Sequence, residues 1–520
     1  MLIAPGGWIF RSVGAESSMS APIPIENGGD TGNGLPSGSS GVDKSVQREA
    51  VPSSSSMKSK MGTLFLVGIS FALIFNSEYD PLLACIGFSV LAYVITTVLI
   101  PALSPDFVRV GFVGRDLGKK NRPLIPETMG AVCAVVYLIT LFFFIPFLFA
   151  KFFVTETSGS GNREHVLDTA TLHKGRSLRM FPHSKLAEFL AALLSSFSML
   201  VLGVADDLFD IRWRNKLLLP AIAVLPLIFV YYVDFGVTFV AVPPVIWKLF
   251  NPEMVSNSAV PPVVDLGVFY YIYMLAMAIF CPNSINILAG INGLEAGQSL
   301  IIAISLLLND AMYIIPGRIL GLHPPHPATE AHLLSTYFVL PLIAVTAALL
   351  KYNWYPARVF VGDTYCYFAG MVFAQVGILG HFSKTLLLFL IPQIVNFIYS
   401  APQLFKLVDC PRHRLPKLNT ETGLLEPSRV YFDIPPKGAE LLLLTSLGKL
   451  KLLDLERDPE TRLIKSSSNF TIVNLVLTWA GPLREDRLAI VILGIQAGCC
   501  AVGLVARHTI APALFGRDNL

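Results

Sequence analysis

The chain has 520 residues, 53% of them hydrophobic and only 14% charged, with a formal net charge of +3. Soluble domains carry nearer a quarter charged residues, so one water-soluble body is excluded, and a charge this small gives no electrostatic case for a nucleic-acid partner. A mean hydropathy of +0.61 with repeated apolar runs of about 18 residues or more is the composition of a polytopic membrane protein.

In chain order, residues 1–60 are rich in Ser, Gly and Pro, as in Pro36–Gly41 and Ser53–Ser56. Such a stretch buries too little apolar surface to offset ordering, so a disordered tail is expected. Within 61–80, Gly62–Phe75 is a short apolar run preceded by Lys58 and Lys60, read as a non-cleaved anchor. Apolar runs follow at 83–102, 130–150, 186–204, 217–234, 268–288, 297–315, 333–350, 365–381, 384–403 and 487–506. The expectation is an all-α polytopic membrane protein of about ten transmembrane helices, eleven if the anchor inserts. Residues 81–403 form its core and 487–520 its last helix and tail. Between them, 404–486 alternates short apolar runs with Pro-containing stretches, the pattern of a small β-containing insertion. The seven cysteines show no CxxC pair and read as small hydrophobes.

The loops alternate sides. Those at 103–129, 205–216, 289–296, 351–364 and 404–486 carry most of the basic residues near span ends, so the positive-inside rule makes that side cytosolic. The loop 151–185, with Lys151, Arg163, Lys174, Arg176, Arg179 and Lys185, dissents. On this topology the sequon Asn469-Phe-Thr471 faces the cytosol and stays unmodified.

Four stretches can carry chemistry. Gly203-Val-Ala-Asp-Asp-Leu-Phe-Asp210 puts Asp206 and Asp210 on one helix face with Asp207 beside them. Clustered carboxylates ask for a cation, and hard oxygen donors suit Mg²⁺ or Mn²⁺; an exposed acidic helix end is the alternative. Arg212-Trp-Arg-Asn-Lys216 follows with three cations, as a multiply charged anion would need. Cys281-Pro-Asn-Ser-Ile-Asn-Ile-Leu-Ala-Gly-Ile-Asn-Gly-Leu-Glu-Ala-Gly297 is too polar for its place between apolar runs. Asn286, Asn292 and Glu295 there are not explained by tight helix packing through Gly290, Gly293 and Gly297. Trp354-Tyr-Pro-Ala-Arg-Val-Phe-Val-Gly-Asp-Thr364 brings Asp363 to a helix mouth, as a metal ligand or as an N-cap. Pro411-Arg-His-Arg-Leu-Pro416 holds two guanidiniums and an imidazole between prolines, suited to phosphate or to a basic lipid-facing patch. All four, and Glu127, fall on the cytosolic side.

These stretches, extended to Asn353 and Cys410, resemble the polyprenyl-phosphate N-acetylhexosamine-1-phosphate transferase family over about residues 81–510. The resemblance implies Mg²⁺-dependent phosphoryl transfer, with Mn²⁺ as an alternative ion. For the eukaryotic branch it implies UDP-N-acetylglucosamine as donor, dolichyl phosphate as acceptor, and sensitivity to tunicamycin. It also implies an endoplasmic reticulum bilayer with the site facing the cytosol. The oligomeric state is left open, a homodimer included. It implies Asn286 and Asp363 as metal ligands, and Asp206 and Asp207 near the metal and the acceptor phosphate. Lys216 matches a phosphate-binding lysine. Gly290 and Phe360 would sandwich uracil, with Asn292 and the backbone near Leu117 reading its edge and Glu127 in the same pocket. Arg412, His413 and Arg414 would recognise the pyrophosphate and the sugar. Asp210 departs from the pattern of close relatives, and Glu295 acquires no role. A secondary transporter, a prenyl-chain synthase and a non-catalytic membrane scaffold are the rival readings; the first wants polar groups at the midplane, the second a second acidic cluster, and the third leaves Asn286, Asn292 and Arg412 unexplained.

Overall fold

Inside a bilayer, an apolar run satisfies its backbone by becoming helical. Each expected span falls on a helix or a broken helix pair in the computed structural model, which describes residues 57–77, 80–152, 181–209, 211, 213–242, 263–321, 326–411 and 414–515. The tail at 1–56, most of the dissenting loop 151–185, Asp210, Arg212, Arg412 and His413 lie outside the described residues.

The described helices are α1 (Met57–Phe75), α2 (Pro81–Val110), α3 (Gly130–Leu148), α4 (His183–Phe209), α5 (Trp213–Ala223), α6 (Leu225–Asp234), α7 (Val268–Ile287), α8 (Leu294–Ile314), α9 (Thr329–Asn353), α10 (Gly362–Leu379), α11 (Ser383–Phe389), α12 (Ile391–Leu404), α13 (Gly438–Lys449), α14 (Ile472–Ala480), α15 (Glu485–Val505) and α16 (Ala511–Phe515). Among them α2, α3, α4, α7, α8, α9 and α15 are long and apolar enough to cross a membrane, and α11 with α12 makes an eighth bent by 69°. The other two expected spans are helical for different reasons. The run 217–234 is the broken pair α5–α6, apolar but short. The run 365–381 lies on α10, which is diluted by Asp363, Tyr365, Tyr367 and Gln375. Every residue of α10 from Thr364 to Leu379 is buried. Its neighbours α3, α4, α7 and α9 cover it, so it meets protein where the others meet lipid. The short anchor run lies on α1, which packs along α2.

Two cavities mark the two ends of the bundle. One lies among the C-terminal ends of α7 and α9, the N-terminal ends of α10 and α15, and the α2–α3 connection. The other, of about 410 Å³, lies among the N-terminal ends of α2, α4 and α9 and the C-terminal ends of α3 and α10. Opposite ends of α9 and α10 thus serve opposite cavities, as the alternation of loops requires.

The α2–α3 connection is a short antiparallel hairpin, β1 (Val113–Arg115) with β2 (Leu124–Pro126), pairing Val113 with Pro126. Strands β3 (Phe239–Ala241) and β4 (Val263–Asp265) pair at the other end. The insertion before α15 contains β strands as expected. Strands β5 (Lys417–Leu418) and β6 (Leu425–Glu426) pair, and β7 (Arg429–Tyr431), β8 (Leu455–Arg457) and β9 (Ile464–Ser468) form a sheet in the order β7-β9-β8. Its own small core is Val408, Leu444, Leu453, Ile464 and Phe470. Polar side chains of α12 dock it: Asn396 accepts from Ile472 N at 2.9 Å, Ser400 donates to Phe470 O at 2.6 Å, and Gln403 bonds Asn469 at 2.9 Å. Asn469 is 1% exposed, so burial alone shields the sequon.

Candidate active site

The site begins with a helix end that cannot satisfy itself. The first N–H groups of a helix lack intrahelical acceptors, and Val361, preceding α10, offers no side-chain cap. Asp207 supplies it from the end of α4. Its Oδ1 accepts from Asp363 N at 2.7 Å, and its Oδ2 from Thr364 N at 3.3 Å and Thr364 Oγ1 at 2.6 Å. The approach is close because Gly203 faces Thr364; a Cβ on Gly203 would lie 2.5 Å from Thr364 Cα. Asp363 is therefore not the cap. Its own carboxylate turns to the site, Oδ1 accepting from Asn286 Nδ2 and Oδ2 from Lys216 Nζ, both at 2.9 Å.

Lys216 also stands 2.9 Å from Asp206 Oδ2, and Asp206 Oδ1 accepts from Ile211 N at 3.0 Å. Burial pulls the Lys216 ammonium down, but Asp363 and then Asp206 more than offset it and hold the pKa above the ordinary lysine value. Glu127 is pushed the other way for a carboxylate, upward, by burial first and then by the charges of Asp207 and Asp363. Asp206 and Asp363 thus share Lys216, and Asp207 and Glu127 add negative charge beside Asp363.

That imbalance is the test for a metal. Among the described residues no group of three or more His, Cys, Asp or Glu side chains is arranged to hold one. Asp363 and the Asn286 amide nevertheless set two oxygen-bearing groups side by side. Mg²⁺ is usually held by one or two protein ligands and completed by substrate phosphates. The residues present fit such an ion, which Asp363 and Asn286 would hold.

Beside this cluster the first cavity, of about 290 Å³, gathers Leu117, Glu127, Asn286, Gly290, Asn292, Phe360 and Asp363 on its walls. Residues from five separate stretches of sequence meet there. Asp206, Asp207 and Lys216 stand behind Asp363, outside the lining. Gly290 has φ +107°, which an L side chain rarely adopts, and Leu415 lies over it, so a Cβ would fall 2.0 Å from Leu415 Cδ2. Of the basic loop, Arg414 is described. Its carbonyl accepts from Ser428 Oγ at 3.1 Å and Asn474 Nδ2 at 3.0 Å, which seats Leu415 and Pro416 on the cavity wall. Its side chain is half-buried, with Nη1 inaccessible and unpartnered among the described residues, and burial holds its pKa below the ordinary value. A half-buried cation that makes no ion pair among the described residues is a place for an anion.

The polar turn between α7 and α8 is held from outside itself. Glu295 Oε1 accepts from Gly290 N at 3.1 Å, which gives that carboxylate its role. Gln298 Nε2 donates to Ile285 O at 3.2 Å and Leu288 O at 2.8 Å, and Asn353 Oδ1 accepts from Gly293 N at 3.1 Å. Glu485 Oε1 accepts from Asn292 N at 2.7 Å. Sequence reasoning missed Gln298, Glu485 and Lys119, which pairs with Glu485. Gln298 had a visible signal, an amide one turn past Glu295 in an apolar run. Glu485 and Lys119 had none, being far apart in the chain.

Carboxylates, a lysine and a nucleotide-sized cleft at one end of a membrane bundle define an integral-membrane transferase acting on charged substrates. The Glycosyl transferase family 4 model matches residues 189–381, from α4 to just past α10. The UDP-N-acetylglucosamine–dolichyl-phosphate N-acetylglucosaminephosphotransferase of Saccharomyces cerevisiae is 50% identical over 461 residues, 88% of this chain and 98% of the yeast protein. That of Schizosaccharomyces pombe is 50% identical over 88% of this chain and 99% of its own length. That of Dictyostelium discoideum is 39% identical over 81% and 88%. The chain belongs to the family of UDP-N-acetylglucosamine–dolichyl-phosphate N-acetylglucosaminephosphotransferases.

Proposed function

We propose that this chain transfers N-acetylglucosamine 1-phosphate from UDP-N-acetylglucosamine to dolichyl phosphate, giving N-acetylglucosaminyl-diphosphodolichol and UMP. It is the first step in building the lipid-linked oligosaccharide for protein N-glycosylation. The observation that carries the reading is the junction of Asp363, Asn286, Lys216 and Asp206 beside a cleft, at one end of the helical bundle. The relatives' names say which substrates such a site serves in them.

An oxygen of the acceptor phosphate attacks the β-phosphorus of the donor. The bond from that phosphorus to the bridging oxygen breaks, and UMP leaves with the electron pair. A phosphate monoester has a second pKa near about 6 and is mostly dianionic at neutral pH, so no strong general base is needed. The work is to bring two polyanions together and spread their charge. Lys216, kept protonated by Asp363 and Asp206, would add positive charge behind Asp363 toward bound phosphate. Arg414 offers from the insertion a nitrogen with no partner among the described residues. Mg²⁺, held by Asp363 and Asn286, would neutralise phosphate charge when bound. Both oxygens of Asp207 are engaged in capping α10, which favours direct attack over a phospho-Asp207 intermediate. The wall formed by Gly290, Phe360 and Leu117 suits a flat base. We place the protein in the endoplasmic reticulum membrane with this end facing the cytosol, from the charge of its loops and the nature of the acceptor.

The test supplies the full-length protein in membranes with radiolabelled UDP-N-acetylglucosamine, dolichyl phosphate and Mg²⁺, with and without tunicamycin. Labelled lipid product that tunicamycin abolishes is expected. UMP release without a lipid product would leave a hydrolase instead.

A further inference from the structure

A knot of charge at the cavity's edge is not used by this chemistry. Glu485, the first residue of α15, is 4% exposed and meets Lys119 Nζ through Oε2 at 2.5 Å while its Oε1 accepts from Asn292 N. Lys119 also lies 3.2 Å from Asp116 Oδ2 and 4.2 Å from the centroid of the Tyr355 ring. Its ammonium donates to Asn292 Oδ1 at 3.0 Å, and Ala357 N donates to the same oxygen at 3.0 Å.

An ammonium and a backbone N–H can only donate, so together they fix which end of the Asn292 amide is oxygen. The oxygen is taken. Asn292 Nδ2 has no protein acceptor among the described residues, and Asn292 lines the cavity between the hairpin side and Gly290. The end left for a ligand is therefore a donor. A donor at a base edge accepts a carbonyl oxygen as its partner and opposes an amino group. A site built around such a bond rejects the analogue that cannot make it. Uracil presents a carbonyl oxygen at its 4-position, where cytosine presents an exocyclic amine.

We propose that Lys119 and Glu485 are positioning residues for the choice of pyrimidine: by locking the Asn292 carboxamide they make the donor site select uracil over cytosine nucleotides. The inference rests on the reading of this cavity as the uridine nucleotide site. Asp116 and Glu485 flank the ammonium on two sides, so Lys119 cannot turn away without leaving a buried carboxylate unpaired. Without Lys119 only the Ala357 N–H still holds the Asn292 oxygen, so the amide is biased less strongly against turning and presenting oxygen to an amino group.

The experiment measures displacement binding of UMP and of CMP on the purified full-length protein, together with KM and kcat for UDP-N-acetylglucosamine. Wild type should prefer UMP strongly. The double variant K119M/E485Q removes both charges together and should lose about tenfold or more of that preference, with KM moving more than kcat. K119R keeps a cationic donor and should keep most of the preference. An unchanged UMP-to-CMP ratio in K119M/E485Q, with both ligands equally weakened, overturns the proposal and leaves the pair a structural one. Equal binding of UMP and CMP by wild type overturns it too. If wild type binds neither nucleotide, the uridine-site reading fails instead. Should the double variant fail to fold, E485Q alone carries the measurement, since it sets an amide against Lys119 at nearly unchanged volume.

Discussion

Asp207 and Asp206 are adjacent in sequence and indistinguishable there, yet the fold gives them separable roles, and substitution should split them. Asp207→Asn keeps the volume but turns one carboxylate oxygen into an N–H₂ group. Whichever way the amide lies, one of the donors at Asp363 N or at Thr364 N and Oγ1 then faces a donor. Bonds to a charged acceptor contribute about 1.5–3 kcal/mol each, and loss of a helix cap costs about 1–2 kcal/mol. Because water can reach part of this helix end, a net loss of about 2–4 kcal/mol is the expectation. Asp363 sits on the same first turn, so its carboxylate shifts with the cap. A displacement of about 1 Å costs on the order of 100-fold in rate. Asp207→Asn should therefore lower both thermal stability and kcat. Asp206→Asn removes a carboxylate that, among the described residues, pairs with Lys216 alone, and should lower kcat with little change in Tm. Thermal unfolding of purified protein and turnover of UDP-N-acetylglucosamine on the same samples make the comparison. An Asp207→Asn protein that melts like wild type but does not turn over would refute the capping argument and put Asp207 in the chemistry.

Gly290→Ala should weaken UMP binding by about tenfold or more, because φ is +107° and the new Cβ would lie 2.0 Å from Leu415 Cδ2. Adding Leu415→Ala relieves the contact but not the backbone strain, so displacement binding should recover only in part; full recovery would mean the strain is immaterial. Glu127 has its folded pKa raised above the ordinary 4.5 by burial and by Asp207 and Asp363. Its contribution to stability is thus present below pH 4.5 and lost as pH rises through the folded value. Glu127→Gln should gain in Tm over wild type across that rise, and a Tm difference that does not change with pH would contradict the assignment. Chelation with EDTA should abolish product formation and Mg²⁺ restore it. Asp363→Ala and Asn286→Ala should resist rescue, and near-normal turnover in either would remove it from the ligand pair.

Much of the architecture was legible because each run of apolar residues has one way to satisfy its backbone in lipid. The gathering of the four polar stretches at one end was legible too, through the count of sides. What sequence left open was Asp363, a ligand or a cap, since both readings put an aspartate at a helix start. The answer depended on Asp207, which is 156 residues away and reaches Asp363 N across the interface of α4 and α10. Glu295 stood out as a carboxylate in an apolar setting, but its acceptor role toward Gly290 N needed the turn's conformation. Glu485 gave no local sign at all. It opens the last span with Asp486 beside it, and nothing short of the fold joins it to Lys119, 366 residues earlier.

The helix carrying Asp363 is also the one whose apolar pattern is weakest, and the two facts have one cause. A helix must be apolar where it meets lipid, whereas α10 is surrounded by α3, α4, α7 and α9, with α8 and α11 also touching it. Polar side chains can therefore ride on it if they find partners. Gln375 Oε1 accepts from Ser196 Oγ at 3.0 Å, and Tyr365 Oη donates to Thr346 Oγ1 at 3.0 Å. Those bonds fix the rotation of α10 about its axis in a way lipid contacts cannot, since lipid is the same on every side. The carboxylate of Asp363 is then aimed by the interior of the bundle rather than by its own exposed loop. Asn286 at the end of α7 and Lys216 at the start of α5 converge on a group whose direction is already set. A site that must bring a water-soluble nucleotide sugar and a membrane-bound phosphate to one point needs that kind of rigid mount. The least lipid-like helix of the bundle provides it.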